Sequence, residues 1–248
     1  MYSQGVAQFY DLFADAAAPA PADTAFVAGR VRSGGTILDI GAGIGNFAFA
    51  LAGGGYKVTA LEPDPEMYAA MLVRLALRQE LQGSLSPVPK GIGFELQQRF
   101  DLCLSVAVLH LLDERVQQLL FDCVHAHLAS DGAFIIDVPV ETPLRAEIPR
   151  QLKAERVFGA TRYQHYYSMH RTAGGRWNTR WEFLTWRGNE LLDHHTRVFD
   201  WKATSLGDVR TLAKQAGLDV TEAFSGFDAA PYVEGESRVL VAIARPRR

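Results

Sequence analysis

Thr36-Ile37-Leu38-Asp39-Ile40-Gly41-Ala42-Gly43-Ile44-Gly45-Asn46 decides how this chain folds. A short apolar run meets three glycines at alternate positions. A second apolar run, residues 47–51, follows and is closed by Gly53-Gly54-Gly55. A strand that ends, reverses and starts a helix while a ligand approaches its backbone needs residues without a Cβ at the bend. Strand, glycine turn and helix make the opening unit of a parallel α/β sheet.

The same alternation runs outward from this turn. Strands are read at 58–61, 100–106 and 133–138, helices at 64–79 and 113–128, and a short extended piece at 84–88. Parallel strands buried on both faces read as unbroken apolar runs, as Leu102-Cys103-Leu104 and Phe134-Ile135-Ile136 do. Upstream, Val6, Phe9, Tyr10 and Phe13 fall at helical spacing within residues 3–18, ahead of Pro19 and Pro21, and a second helix is read at 23–31. After the fifth strand the pattern changes to aromatic and β-branched runs at 163–170, 177–186 and 191–201. Ala173-Gly174-Gly175 and Arg187-Gly188-Asn189 separate them, which predicts a three-stranded antiparallel meander. A helix at 205–215, stopped by Gly217, and strands at 218–223 and 238–244 close the chain. The fold class expected is α/β, a doubly wound and mostly parallel sheet with an antiparallel β excursion forming a lid.

Composition narrows the function classes. With 248 residues, 48% of them hydrophobic and 21% charged, the chain is neither disordered, collagenous nor a coiled coil. Its 25 Lys and Arg against 28 Asp and Glu lack the basic surplus that drives phosphate-backbone binding, so no nucleic-acid partner is expected. Cys103 and Cys123 each lie in an apolar run and form no close-spaced pair, giving neither a disulfide framework nor a zinc site. No Lys or Arg precedes Arg30, and no stretch approaches the roughly 18 apolar residues of a membrane span. A cytoplasmic location with no membrane partner is the expectation.

Glu62 ends the second strand, 21 residues after Gly41, where a carboxylate can accept from two ribose hydroxyls. In a dinucleotide fingerprint the third glycine follows the second by three residues, a position held here by Asn46. The ligand implied is therefore of adenosine type, at a spacing that departs from the NAD signature. Asp39, Gly41, Gly43, Gly45 and Glu62 resemble the first motifs of class I S-adenosylmethionine-dependent methyltransferases. Phe100-Asp101-Leu102-Cys103-Leu104-Ser105 is similar to that family's fourth-strand motif, and Leu128-Ala129-Ser130-Asp131-Gly132-Ala133 to its turn before strand five.

The resemblance implies a Rossmann-like seven-stranded sheet and S-adenosyl-L-methionine as cofactor. It divides the chain into residues 1–150 for the leading helices and cofactor core, 151–203 for the substrate lid, and 204–248 for the elements that complete the sheet. Gly41, Ala42, Gly43 and Gly45 would line the methionine and ribose, with Asp39 near the methionine amine and Glu62 on the ribose hydroxyls. Pro63 and Ser105 join this set. The Gly-Asp that often follows the third strand is represented by Gly83-Ser84, leaving Ser84 or a backbone group for adenine.

Methyl transfer is an in-line displacement, so catalysis rests on aligning a nucleophile with the methyl carbon. The crevice of an open α/β sheet lies beyond the carboxyl ends of its strands, which points to Ser105-Val106-Ala107-Val108-Leu109-His110. An imidazole with a pKa near about 6.5 suits proton removal from an ammonium or hydroxyl, and His110 can serve so or simply pack the loop. The segment is similar to that of the amino-sugar and glycine/sarcosine N-methyltransferases, where a histidine faces the substrate. Tyr10 resembles a tyrosine of that subgroup that reaches over the methyl group, and it also suits the apolar face of its helix.

All four tryptophans, Trp177, Trp181, Trp186 and Trp201, lie in the excursion. Alternation puts Trp177, Thr179, Trp181 and Phe183 on one face, and lets at most one of His194 and His195 face the site. Tyr166, Trp181 and His195 are assigned to the acceptor. The excursion's arginines, Arg197 among them, either hold an anionic group or form a solvated face. No carboxylates cluster after strand four, so no metal is expected. The expected function is transfer of a methyl group to N, O or a nucleophilic C of a small natural-product or sugar-like acceptor. The alternatives are another reaction on the same cofactor, or cofactor binding without turnover. The one macromolecular partner anticipated is a second copy of the chain.

Overall fold

The computed structural model describes residues 7–13, 19–142 and 146–247. A seven-stranded sheet is built from β1 (Thr36–Ile40), β2 (Lys57–Leu61), β3 (Leu85–Val88), β4 (Phe100–Ser105), β5 (Leu128–Pro139), β10 (Leu218–Phe224) and β11 (Val239–Pro246). Their order across the sheet is β10-β11-β5-β4-β1-β2-β3, and β11 alone runs against its neighbours. The winding direction reverses between β1 and β4, which opens a crevice at their carboxyl ends.

Helices cover both faces. On one, α2 (Pro21–Ala28), α3 (Asn46–Gly53) and α4 (Pro65–Ala76) pack Phe26, Val27, Phe49, Leu51 and Met71 against Ile37, Val58, Leu102, Leu104 and Ile135. On the other, α5 (Glu114–His127) and α6 (Leu206–Gln215) pack Leu120, Phe121, Val124, Val209 and Ala213 against Leu38, Cys103, Phe134 and Ile136. Each central strand thus buries both faces, the physical reason its sequence is an unbroken apolar run. The doubly wound α/β reading holds. Among the described residues no helix is long and apolar enough to cross a membrane.

The excursion is a second, antiparallel sheet of four strands rather than the three expected. Its strands are β6 (Ile148–Phe158), β7 (Thr161–Arg171), β8 (Trp177–Arg187) and β9 (Glu190–Trp201), in that order. The added strand, β6, is an edge strand with mostly exposed side chains, so its sequence lacks the apolar alternation of its neighbours. The sheet leaves β5 and returns to it: the Thr204 amide donates to the Pro139 carbonyl at 3.1 Å. Both ends of the lid are thereby fixed at the carboxyl end of β5.

The leading helix is described as α1, Ala7–Leu12; the rest of the expected span, 3–6 and 14–18, lies outside the described residues. Most helical stability comes from the packing of an apolar face, and this helix packs on the lid. Phe9 stacks on Phe183 with ring centroids 4.7 Å apart and planes 8° apart, and Phe13 lies 6.4 Å from the same ring. The leading helix is thus fastened to the lid. Phe183→Ala is expected to speed exchange of the Phe13 amide, which donates to the Phe9 carbonyl at 3.0 Å, by about tenfold or more, while amides of β1 and β4 keep their protection. Unchanged exchange at Phe13 would contradict this dependence.

Candidate active site

The glycine turn is held from three sides. The Gly41 and Ala42 amides both donate to the Leu61 carbonyl at 2.9 Å, tying the end of β1 to the end of β2. Gly45 occupies the N-cap position of α3, and the Arg74 guanidinium donates to the Ile44 carbonyl at 2.7 Å and to the Asn46 side-chain oxygen at 2.9 Å. Asn46, which departs from the dinucleotide spacing, is therefore the anchor of α4 on this turn. Gly41 adopts φ 75°, and a Cβ there would lie 2.5 Å from Val108 Cγ2 of the loop after β4. A Cβ on Gly43, at φ 59°, would meet none of the described residues within 4 Å. One glycine admits a protein neighbour and the other leaves room for a ligand.

Two buried carboxyl groups face this turn. Glu62 accepts from the Gly43 amide with one oxygen and from the Asp64 amide with the other, both at 2.8 Å. Each oxygen keeps a second lone pair for a hydroxyl. Burial pushes the Glu62 pKa up, against the pull of those two amides and of the Arg197 charge. Asp39 is pushed up to about 7, first by burial and then by the neighbouring charge of Glu62. A cation brought beside this pair would favour the ionised form of both. Pro63 packs on the segment after β3, since a Cβ on Gly91 would lie 3.2 Å from Pro63 Cβ.

The lid presents one face to the crevice as a line of rings. The Tyr10 ring lies 5.2 Å from Trp181 and also packs with Ile44 of the glycine turn and Met67 of α4. Trp181 meets Phe199 edge-on at 5.2 Å, and its indole N–H is buried without a hydrogen-bond partner among the described residues. Farther along, Phe199 packs with Trp177 and Trp201, and Trp201 meets His110 edge-on at 5.6 Å. Tyr10 and His110 thus stand at opposite ends of one aromatic row. Ser105 ends β4 fully buried, its hydroxyl without a hydrogen-bond partner among the described residues.

Two assignments move. Ser84 stands before β3, at its amino end, and its hydroxyl donates to the Leu81 carbonyl at 3.2 Å. The segment that follows β3 into the crevice begins at Pro89, so the Gly83-Ser84 equivalence is corrected. Tyr166 lies on the opposite face of the lid from Trp181, since it is paired with Glu182 in the register, and Arg150 stacks over its ring at 3.7 Å. It does not face the crevice. His195 does lie on the inner face, but against Phe9 at 5.5 Å and bonded to Asp193 at 2.7 Å, beneath the leading helix. His194 points away, 3.4 Å from Glu182.

Two residues go beyond the sequence assignments. Arg197 donates to the Tyr10 hydroxyl at 3.3 Å and packs on the Trp181 and Phe199 rings at 5.5 and 5.1 Å. Asp137, at the end of β5, accepts from the Ala107 amide in the loop that leads to His110. An acid closing an apolar strand, the signal that marked Glu62, also marks Asp137.

Because Asp39 binds its proton more tightly folded than unfolded, its contribution to stability is full below the unfolded pKa of about 4 and is lost as pH rises towards 7. Asp39→Asn removes that titration. The ligand-free variant is expected to gain stability on the parent as pH rises from about 4 to 7, by at most roughly 4 kcal/mol, read as a widening gap between the two thermal midpoints. Parallel midpoint-against-pH curves would contradict the assignment.

A family model described as a methyltransferase domain matches residues 12–223. No curated protein sequence matches the chain significantly. Among solved structures, the CcbJ methyltransferase from Streptomyces caelestis is similar at 19% identity and a TM-score of 0.78, over 98% of this chain and 96% of that one. The sugar N-methyltransferase KedS8 from Streptoalloteichus gives 17%, 0.77, 100% and 96%. CalS10, an amino pentose methyltransferase from Micromonospora echinaspora, gives 18%, 0.70, 99% and 98%. Identities this low speak to fold, and the family match covers most of the chain: this protein belongs to the methyltransferase-domain family.

Proposed function

We propose that the chain moves a methyl group from S-adenosylmethionine to an amine nitrogen of a small natural-product or sugar-like acceptor held under the lid. The observation that carries this reading is the row of rings from Tyr10 to His110, which roofs the crevice at the ends of β1 and β4. Relatives of the same fold described as sugar and amino pentose methyltransferases support the acceptor class. In this reading residues 1–150 and 204–248 form the cofactor-binding body and 151–203 the lid.

The residues fit the cofactor. A ribose matches the free lone pairs of Glu62, a cationic methionine arm matches the raised pKa of Asp39, and the open space at Gly43 leaves a path between them. Pro63 and the backbone after β3 would flank the base. When bound, S-adenosylmethionine supplies a methyl group made electrophilic by its sulfonium sulfur. Tyr10 and Trp181 close the space over the glycine turn and exclude water, and the unpartnered Trp181 N–H offers a donor to the acceptor. The His110 imidazole takes the proton that the acceptor nitrogen must lose, and its contact with Trp201 fixes the ring plane.

Incubation with methyl-labelled cofactor and a panel of amines and alcohols tests this. Label in an N-methyl product is expected; unlabelled product would favour another reaction on the same cofactor, and binding without product a sensing role. Glu62→Ala should weaken binding of S-adenosylhomocysteine by about a hundredfold, since it removes a buried charge-assisted acceptor. His110→Ala should lower turnover by about 10²–10⁴ and leave that affinity within about threefold. A His110→Ala variant fully active across pH 6–9 would exclude its role as base.

A further inference from the structure

The loop between β4 and His110 carries backbone strain that proton transfer by His110 does not require. Ala107 adopts φ 57°, in the left-handed region where a Cβ crowds the following carbonyl. Its side chain is exposed, so packing does not impose the conformation. Its neighbours on the chain are tightly engaged. Val108 presses on the glycine turn so closely that a Cβ on Gly41 would lie 2.5 Å away, Leu109 is fully buried, and His110 meets Trp201. A relaxed Ala107 would re-aim all three.

The group that holds Ala107 is Asp137, whose Oδ1 accepts the Ala107 N–H. Strand register delivers it there: Ser105 pairs with Ile136, so Asp137 comes next to the loop as both strands end. Burial pushes its pKa up to about 6, and the Ala107 amide is what draws it back down. A carboxyl group is kept in an unfavourable setting, at the crevice, to hold one backbone amide.

We propose that Asp137 is a positioning residue that locks Ala107 in the left-handed conformation, and so sets Val108 against the glycine turn and His110 against the acceptor side. This rests on the methyl-transfer reading for its functional consequence. A left-handed alanine is disfavoured about five- to thirtyfold relative to ordinary backbone, so a loop without the clamp spends most of its time elsewhere. Glycine at 107 carries no such penalty, and a β-branched residue carries a larger one.

Four variants of the full chain test the clamp: Asp137→Ala, Asp137→Asn, Ala107→Val, and Asp137→Ala combined with Ala107→Gly. Calorimetric affinity for S-adenosylhomocysteine is read beside the thermal midpoint and the exchange rate of the residue 107 amide. Asp137→Ala is expected to bind about tenfold more weakly, with Asp137→Asn within about threefold of the parent because its carbonyl still accepts the amide. The double variant is expected to recover most of that affinity without recovering the thermal midpoint, a split that general destabilisation would not produce. Ala107→Val should reproduce the loss with Asp137 intact, which covers the case of Asp137→Ala failing to fold. Parent-like binding by Asp137→Ala or Ala107→Val, or a double variant as weak as Asp137→Ala, overturns the proposal. Amide exchange tests the clamp with no cofactor present: residue 107 should exchange about tenfold faster in Asp137→Ala than in Asp137→Asn, and equal rates overturn it. A parent chain that gives no heat with S-adenosylhomocysteine but shows that exchange difference would fault the methyl-transfer reading and leave the clamp standing.

Discussion

The bond from the Gly43 amide to the Glu62 carboxylate is the contact on which the rest of the site depends. It joins the turn after β1 to the end of the adjacent strand β2 and holds a buried carboxyl group in place. A second carboxyl group, Asp39, stands beside it. Two acids this close, in so dry a place, disfavour each other's ionised form. The ligand-free protein therefore holds an electrostatic debt that a cationic nucleoside discharges, whereas a dinucleotide with its two negative phosphates would increase it.

The lid is coupled to this centre through α1 rather than through the main sheet. Phe9 and Phe13 lie on Phe183, Tyr10 spans from Trp181 to Ile44, and Arg197 reaches from the lid to the Tyr10 hydroxyl. Arg197 is also felt by Glu62. Leading helix, lid and Glu62 therefore share one network. Meanwhile the base of the lid, closed by Thr204 on Pro139, keeps the sheet anchored at the carboxyl end of β5.

Much of this was legible in the sequence because it rests on local rules. Unbroken apolar runs mark strands covered on both faces, alternate glycines mark the bend, and an acid marks the end of β2. What was not legible depended on register and neighbours. Strand β6 reads Ile-Pro-Arg-Gln-Leu-Lys-Ala-Glu-Arg-Val-Phe, a solvent-facing edge with no apolar alternation. Tyr166 and Tyr167 are adjacent, and only the pairing of β7 with β8 tells which of them faces the crevice. Gly83-Ser84 looked like a post-strand motif because the four-residue β3, interrupted by Pro87, is too short to declare where it begins. The left-handed Ala107 has no sequence signature, since alanine is not a residue that turns demand.

The measurement that bears most directly on the whole is a pair of calorimetric titrations of the intact chain, one with S-adenosylhomocysteine and one with NADH. Saturable heat with the first and none with the second is the outcome predicted from the paired acids and the early third glycine. Tight NADH binding with no response to the sulfur nucleoside would contradict it.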